Sequence, residues 1–185
     1  RMNESHAQLV DWGLSQIDLH AGDLVLDIGC GGGNTLARMA ARVTAGHLVG
    51  IDYAETSVEA SRAFNAAHIE AGRMEILHGS VENLPFSDEY FDAVVTVESF
   101  YFWPHPVESL GEVARVLRSG GTFLLLAEIY GRVDLPEVIR AKVADEDLMN
   151  PTPEEFERLF RAAGFRAVYM NYKEGTYWIA VRGVR

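Results

Sequence analysis

V-L-D-I-G-C-G-G-G, residues 25–33, runs an apolar stretch straight into four glycines and one cysteine, and Asn34 follows. Glycine accepts positive φ and bares the main chain. A glycine cluster directly after a buried strand therefore reads as a turn that a ligand approaches at the backbone. Outward from this loop, strand-like and helix-like runs alternate. The apolar run at 24–28 is followed by Leu36, Met39, Ala40 and Val43 at helical spacing. A second strand is expected at 47–51. Thr56 and Glu59 then stand at capping-box spacing, opening a helix striped by Ala60, Ala63, Phe64, Ala67 and Ala71. Strands at 74–77 and 93–97 come next. Val107, Leu110, Ala114 and Leu117 mark a helix between Pro106 and Gly120-Gly121, and a fifth, nearly all-apolar strand covers 122–127.

This rhythm predicts an α/β fold, a doubly wound, mostly parallel sheet with helices on both faces. The C-terminal part departs from it. Thr152-Pro153-Glu154-Glu155 supplies an N-cap, a proline at the first helical position and an acid three residues after the cap. Phe156, Leu159, Phe160 and Ala163 form the stripe and Gly164 ends it. Strands at 166–172 and 176–182, joined by Lys173-Glu174-Gly175, then predict an antiparallel hairpin. The 185 residues suit one domain, with an N-terminal helix within 1–20 and a polar 130–150 segment placed as a lid over the site.

Composition narrows the partners. Lys and Arg total 16 against 27 Asp and Glu, a formal charge of −11 that disfavours nucleic acid and anionic lipid. No run reaches the length of a membrane span, and the start shows no signal-peptide pattern. Opening on Arg1-Met2, the sequence leaves open whether residues precede it. The single cysteine, Cys30, fits a reducing cytoplasm. Nothing in the sequence fixes an oligomeric state.

The glycine spacing selects the ligand. A dinucleotide fingerprint G-x-G-x-x-G begun at Gly29 needs a third glycine at position 34, which is Asn34. The chain instead has D-x-G-x-G-x-G at Asp27, Gly29, Gly31 and Gly33. An acid two residues before the first glycine repels a pyrophosphate and suits a ligand with a positive amino end.

This loop resembles motif I of the class I S-adenosylmethionine-dependent methyltransferases. Nearly the whole chain follows that family, in the small-molecule branch similar to quinone-biosynthesis C-methyltransferases. Asp52 in G-I-D-Y matches the acid that holds ribose hydroxyls, and G-S-V-E-N-L-P-F (79–86) resembles the adenine segment. F-D-A-V-V-T-V-E-S (91–99) resembles the fourth strand, and E-V-A-R-V-L-R-S-G-G (112–121) the helix and turn before the fifth. The resemblance implies a Rossmann-like seven-stranded sheet of order 3-2-1-4-5-7-6, whose antiparallel last strand accounts for the hairpin. It also implies S-adenosylmethionine as methyl donor and S-adenosylhomocysteine as product. By position, Asp27, Gly29, Cys30 and Gly31 serve the methionine end, with the Cys30 thiol read as packing. Asp52 and Tyr53 serve the ribose and adenine, Ser80, Val81 and Glu82 the adenine edge, and Glu98 the strand end beside the cofactor. Ser80 stands where many relatives carry an acid, and of the N-terminal helices that cover the cofactor in the family, Asn3 to Leu19 is expected to supply one.

The more individual stretch is E-S-F-Y-F-W-P-H-P, 98–106. Tyr101 and Trp103, with polar tips on apolar bodies, are expected in an acceptor pocket together with Tyr130. Phe100 and Phe102 either join them or plug the sheet edge. Tyr101 and His105 are candidate bases; the alternative for His105 is a structural loop residue between two prolines. Transfer from an activated sulfonium needs alignment above all, and neither a covalent nucleophile nor a metal-ligand set stands out. The expectation is methyl transfer to a small, partly apolar acceptor. A non-catalytic S-adenosylmethionine-binding module and a nicotinamide-dependent oxidoreductase are the alternatives.

Overall fold

A computed structural model describes the main chain of residues 2–185 and the side chains of 6–185. Its elements run α1 (Met2–Leu14), β1 (Leu24–Ile28), α2 (Asn34–Ala40), β2 (His47–Asp52), α3 (Glu55–Phe64), α4 (Ala66–Glu70), β3 (Met74–His78), β4 (Phe91–Val97), α5 (Pro106–Val116), β5 (Leu117–Ala127), α6 (Glu137–Asp145), α7 (Pro153–Ala162), β6 (Ala167–Tyr172) and β7 (Ile179–Val184). The seven strands form one sheet in the order β3-β2-β1-β4-β5-β7-β6. Strands β1 to β5 are parallel, and β7 runs antiparallel to both β5 and β6. The expected topology is therefore the observed one.

Alternation along the strands sends side chains to two apolar layers. Leu26 and Ile28 of β1 join Val49, Ile51, Phe123 and Leu125 beneath α5 and α7. Val25 joins Leu48, Val95, Leu124 and Leu126 beneath α1, α2 and α3, with Leu9, Leu14, Leu36, Met39 and Val58 supplying the helical side. An aromatic column stiffens the first layer. Trp103 stacks on Phe123 at 6.2 Å between centroids, Phe123 on Phe160 at 5.4 Å, and Phe100 meets Phe156 at 5.6 Å. Such ring pairs add roughly 0.5–1.5 kcal/mol each beyond their buried area. Helix α7 is fixed at its start by a complete capping box: Glu155 N–H donates to Thr152 Oγ1, and Thr152 N–H to Glu155 Oε2.

Four local expectations are corrected. The fifth strand does not wait for a break at Gly120-Gly121: α5 ends at Val116, and β5 begins at Leu117 and includes both glycines. No capping box forms at Thr56 and Glu59, because α3 begins at Glu55 and its Ala54 cap has no side-chain bond. The alanine stripe is also turned outward: Ala60, Ala63, Phe64, Ala67 and Ala71 are exposed, while Val58, Ser61 and Asn65 are buried. Polar residues face inward there because the glycine loop lies against them and supplies hydrogen-bonding backbone. Last, β7 starts at Ile179 rather than 176, since the Thr176 hydroxyl takes the Trp178 N–H and donates to Lys173 O, prolonging the turn.

Candidate functional site

The chain moves outward from β1 through β2 to β3 and then returns to β4 on the other side of β1. The carboxyl ends of β1 and β4 thus diverge at a topological switch point, where open α/β sheets hold their ligands. A cavity of about 560 Å3 lies there. Ile28 and Gly29 of β1 and its turn, Ile51 to Tyr53 at the end of β2, Gly79 to Glu82 after β3, and Val97 to Ser99 at the end of β4 line it. Phe102, Trp103 and Pro104 complete one wall.

The loop's glycines answer separate demands. Gly29, Gly31 and Gly33 all have positive φ, at 71°, 50° and 82°. A Cβ on Gly29 would stand 2.5 Å from Ser99 Cβ, and one on Gly33 2.2 Å from Asn65 Nδ2, so two elements press on the bare backbone. Asn65 Nδ2 also donates to Gly33 O at 3.1 Å, which ties the loop to α3.

Asp52 ends β2 on the cavity wall with both carboxylate oxygens aimed by the backbone. Oδ2 accepts from Gly31 N–H at 2.8 Å and Oδ1 from Ala54 N–H at 2.9 Å. Each oxygen keeps a second lone pair, so the carboxylate can still receive a pair of hydroxyls. Asp27 lies behind the loop rather than on the lining. It is buried, its Oδ2 has no hydrogen-bond partner among the described residues, and burial followed by the charge of Asp52 lifts its pKa to about 8. An orphaned buried acid is costly, and a cationic group brought close to the loop offsets that cost. An amino-bearing ligand with a vicinal diol therefore fits the two acids, which is the polar equipment of S-adenosylmethionine.

Cys30 and Gly31 likewise sit in the loop and not on the lining. Burial, with the charge of Asp27, pushes the Cys30 thiol up to about 12, so it is a packing residue. Tyr53 is exposed at the rim, where its carbonyl meets His78 Nε2 at 2.8 Å. Ser80 accepts the Glu82 N–H at 3.2 Å and so shapes the turn whose residues, with Val81, form the cavity's far side. Glu98 lines the cavity near Tyr101.

The expected acceptor residues divide. Trp103 is on the lining, and so is Phe102, which is 69% exposed, whereas Phe100 is buried in the core. Tyr101 and Tyr130 stand outside the lining: the Tyr101 hydroxyl is occupied by Glu98 and Ile129, and the buried Tyr130 ring meets Tyr172 at 5.5 Å. His105 is also outside. It holds the left-handed cap of α5 at φ 47° and turns its exposed ring toward Glu82, Nδ1 to Oε1 being 3.9 Å. Sequence reading missed Ser99. Its hydroxyl receives the Trp103 indole N–H at 3.1 Å and bonds Ile28 O and Thr96 Oγ1, locking the aromatic wall to the end of β1. Its place immediately after the fourth strand was the available signal.

A family model described as "Methyltransferase domain" matches residues 26–125, more than half of the chain. The chain is 37% identical to a fatty-acid O-methyltransferase of Mycolicibacterium smegmatis, over 80% of this chain and 51% of that protein. It is 31% identical to the chloroplastic 2-methyl-6-phytyl-1,4-hydroquinone methyltransferase 2 of Oryza sativa subsp. japonica, over 95% of this chain and 47% of the relative. The chain thus spans about half the length of these curated relatives. Among solved structures, a SAM-dependent methyltransferase from Aquifex aeolicus superposes with a TM-score of 0.74 at 19% identity, covering 95% of this chain and 88% of the other. That likeness speaks for the fold.

Proposed function

The chain belongs to the methyltransferase domain family, and from that premise we propose that it moves a methyl group from S-adenosylmethionine to a small, partly apolar acceptor by direct displacement. The observation that carries this reading is Asp52: a strand-end carboxylate on the cavity wall, both oxygens oriented by backbone N–H groups. The names of the two curated relatives, one acting on a fatty acid and one on a phytyl hydroquinone, support an acceptor with apolar bulk. So does the wall of Phe102, Trp103 and Pro104.

When bound, the cofactor supplies a methyl group already activated on a sulfonium, so the chain's own task is to bind, orient and exclude water. Asp52 accepts the ribose hydroxyls and Tyr53 flanks the adenine. Ser80, Val81 and Glu82 border the adenine edge. Gly29, Cys30 and Gly31 pass the methionine end along bare backbone, above the charge of Asp27. Glu98 closes the same wall at its Tyr101 end. Trp103, held by Ser99, gives the acceptor an apolar face.

The 130–150 segment serves as a lid over the acceptor side. In support, α6 has no buried residue, Lys142 stands close enough to act on the charge of Glu98, and Met149 N–H reaches Tyr101 O at 3.3 Å. Residues 1–185 act as one domain, with α1 packed on β5 from the opposite face. The buried lone cysteine suits a cytoplasmic setting. The net charge of −11 argues for small molecules over nucleic acid.

Transfer of labelled methyl from S-adenosylmethionine to a panel of alkyl hydroquinones and fatty acids tests the proposal. Product from at least one class is the expected result; cofactor binding with no transfer to any member would favour a non-catalytic binding module.

A further inference from the structure

Glu98 occupies an expensive position. It lies just after β4, on the cavity lining, with φ 55°. A non-glycine residue in that region is strained, and glycine, used at positive φ three times in the facing loop, would relieve the strain. The carboxyl is also held on one side only. Its Oε1 accepts the Glu128 N–H at 2.5 Å and the Tyr101 hydroxyl at 3.0 Å, and that hydroxyl in turn receives Ile129 N–H at 3.2 Å. Oε2 receives no hydrogen bond among the described residues, yet it is not among the atoms sealed from solvent. A half-buried, braced carboxyl therefore keeps one free acceptor oxygen beside the apolar wall of Val97, Phe102 and Trp103.

We propose that Glu98 Oε2 takes a hydrogen bond from a hydroxyl of the acceptor, making Glu98 the residue that selects hydroxyl-bearing apolar molecules over carboxylates. This rests on the methyltransferase reading. Tyr101 is then a positioning residue, acting through Oε1. The charged and titratable groups facing Glu98 are Glu128, Tyr101 and, from the 130–150 segment, Lys142. Burial, against the lowering effect of the Glu128 N–H, lifts the Glu98 carboxyl to about 7. The selection is accordingly strongest above neutrality, where the ionised carboxylate repels an acid and attracts a hydroxyl.

The test is calorimetry on the full chain saturated with S-adenosylhomocysteine, using three probes: an alkyl hydroquinone, its dimethyl ether, and a fatty acid of equal chain length. At pH 8 the hydroquinone is expected to bind roughly ten- to a hundredfold tighter than the ether, the range for a hydrogen bond to a charged group. Lowering the pH to 6 should improve fatty-acid binding as Glu98 protonates. Glu98→Gln, saturated with S-adenosylhomocysteine, should reduce the hydroquinone preference and flatten the fatty-acid pH dependence. Glu98→Gly, which relieves the positive φ, should raise thermal stability and lose the same discrimination. Wild-type protein that takes S-adenosylhomocysteine but treats the probes alike overturns the proposal, as does discrimination that survives both substitutions. Loss of S-adenosylhomocysteine binding in Glu98→Gln alone also overturns it, by making Glu98 a cofactor contact. Failure of wild type to take S-adenosylhomocysteine removes the methyltransferase reading itself.

Discussion

Asp27 makes the stability of the fold depend on pH. Its carboxyl is buried behind the glycine loop, and its pKa in the folded chain, about 8, lies far above the ordinary 3.8. The folded state therefore holds a proton that the unfolded state releases, so stability declines as pH rises from about 4 to about 8. Asp27→Asn keeps the shape and cannot ionise. Thermal melts should place the variant above wild type at pH 8, by on the order of a few kcal/mol, with the two converging near pH 4. The same variant should bind S-adenosylmethionine more weakly, because it cannot ionise when a cationic amino end comes close. Equal melting at both pH values would show that Asp27 is satisfied in the fold by something other than a ligand.

At the scale of elements, the glycine loop and α3 form one unit, and Gly33 is where they meet. Gly33→Ala combines a φ of 82° with a Cβ 2.2 Å from Asn65 Nδ2 and 2.4 Å from Ser61 Oγ. The backbone alone costs about 1–2 kcal/mol, and displacing Asn65 adds to it. Gly22→Ala, whose Cβ meets nothing within 4 Å, should stay within about 1 kcal/mol of wild type. Urea midpoints of the two variants check the contrast. This unit also marks the limit of what the sequence discloses. The strands were legible because each is a continuous apolar run between turn residues, and the loop because its glycine spacing is rare. The buried face of α3 was not legible. Its alanines match a helical stripe, but Ser61 and Asn65 turn inward to meet backbone from a segment some thirty residues earlier, a demand that no local period encodes. Tyr101 stands outside the cavity lining for a similar reason. Its phenol suits a pocket, yet Glu98 and the Ile129 backbone, brought alongside by the β4–β5 pairing, already use it. His105 itself stands outside the cavity lining, because the left-handed cap of α5 turns its ring toward the edge of that lining at Glu82.

Across the whole molecule, rigidity and looseness are unevenly placed. The sheet, α5 and α7 bury the aromatic column, while α6 carries none of its residues into the core, and Val133 ahead of it and Val138 within it are 96% and 76% exposed. A lid drawn from that region should be cut first and protected by ligand. Trypsin is expected to cleave after the exposed Arg140 or Lys142 before other sites, and more slowly with S-adenosylhomocysteine and an alkyl hydroquinone together. Cleavage there at an unchanged rate would separate the 130–150 segment from the acceptor site.

The central claim is that this cavity holds S-adenosylmethionine by the carboxylate that ends β2. A hydrogen bond to a charged group contributes roughly 1.5–3 kcal/mol, so the loss of even one in Asp52→Ala should weaken binding by about ten- to a hundredfold, and the loss of both by more. Asp52→Asn should fall between, but nearer the alanine variant, since its amide nitrogen must face one of the N–H donors of Gly31 and Ala54. Calorimetric titration of S-adenosylmethionine into the three proteins decides it: one-to-one binding by wild type, in the order wild type, Asn, Ala, is the predicted result, and equal affinities, or none in wild type, would contradict the account.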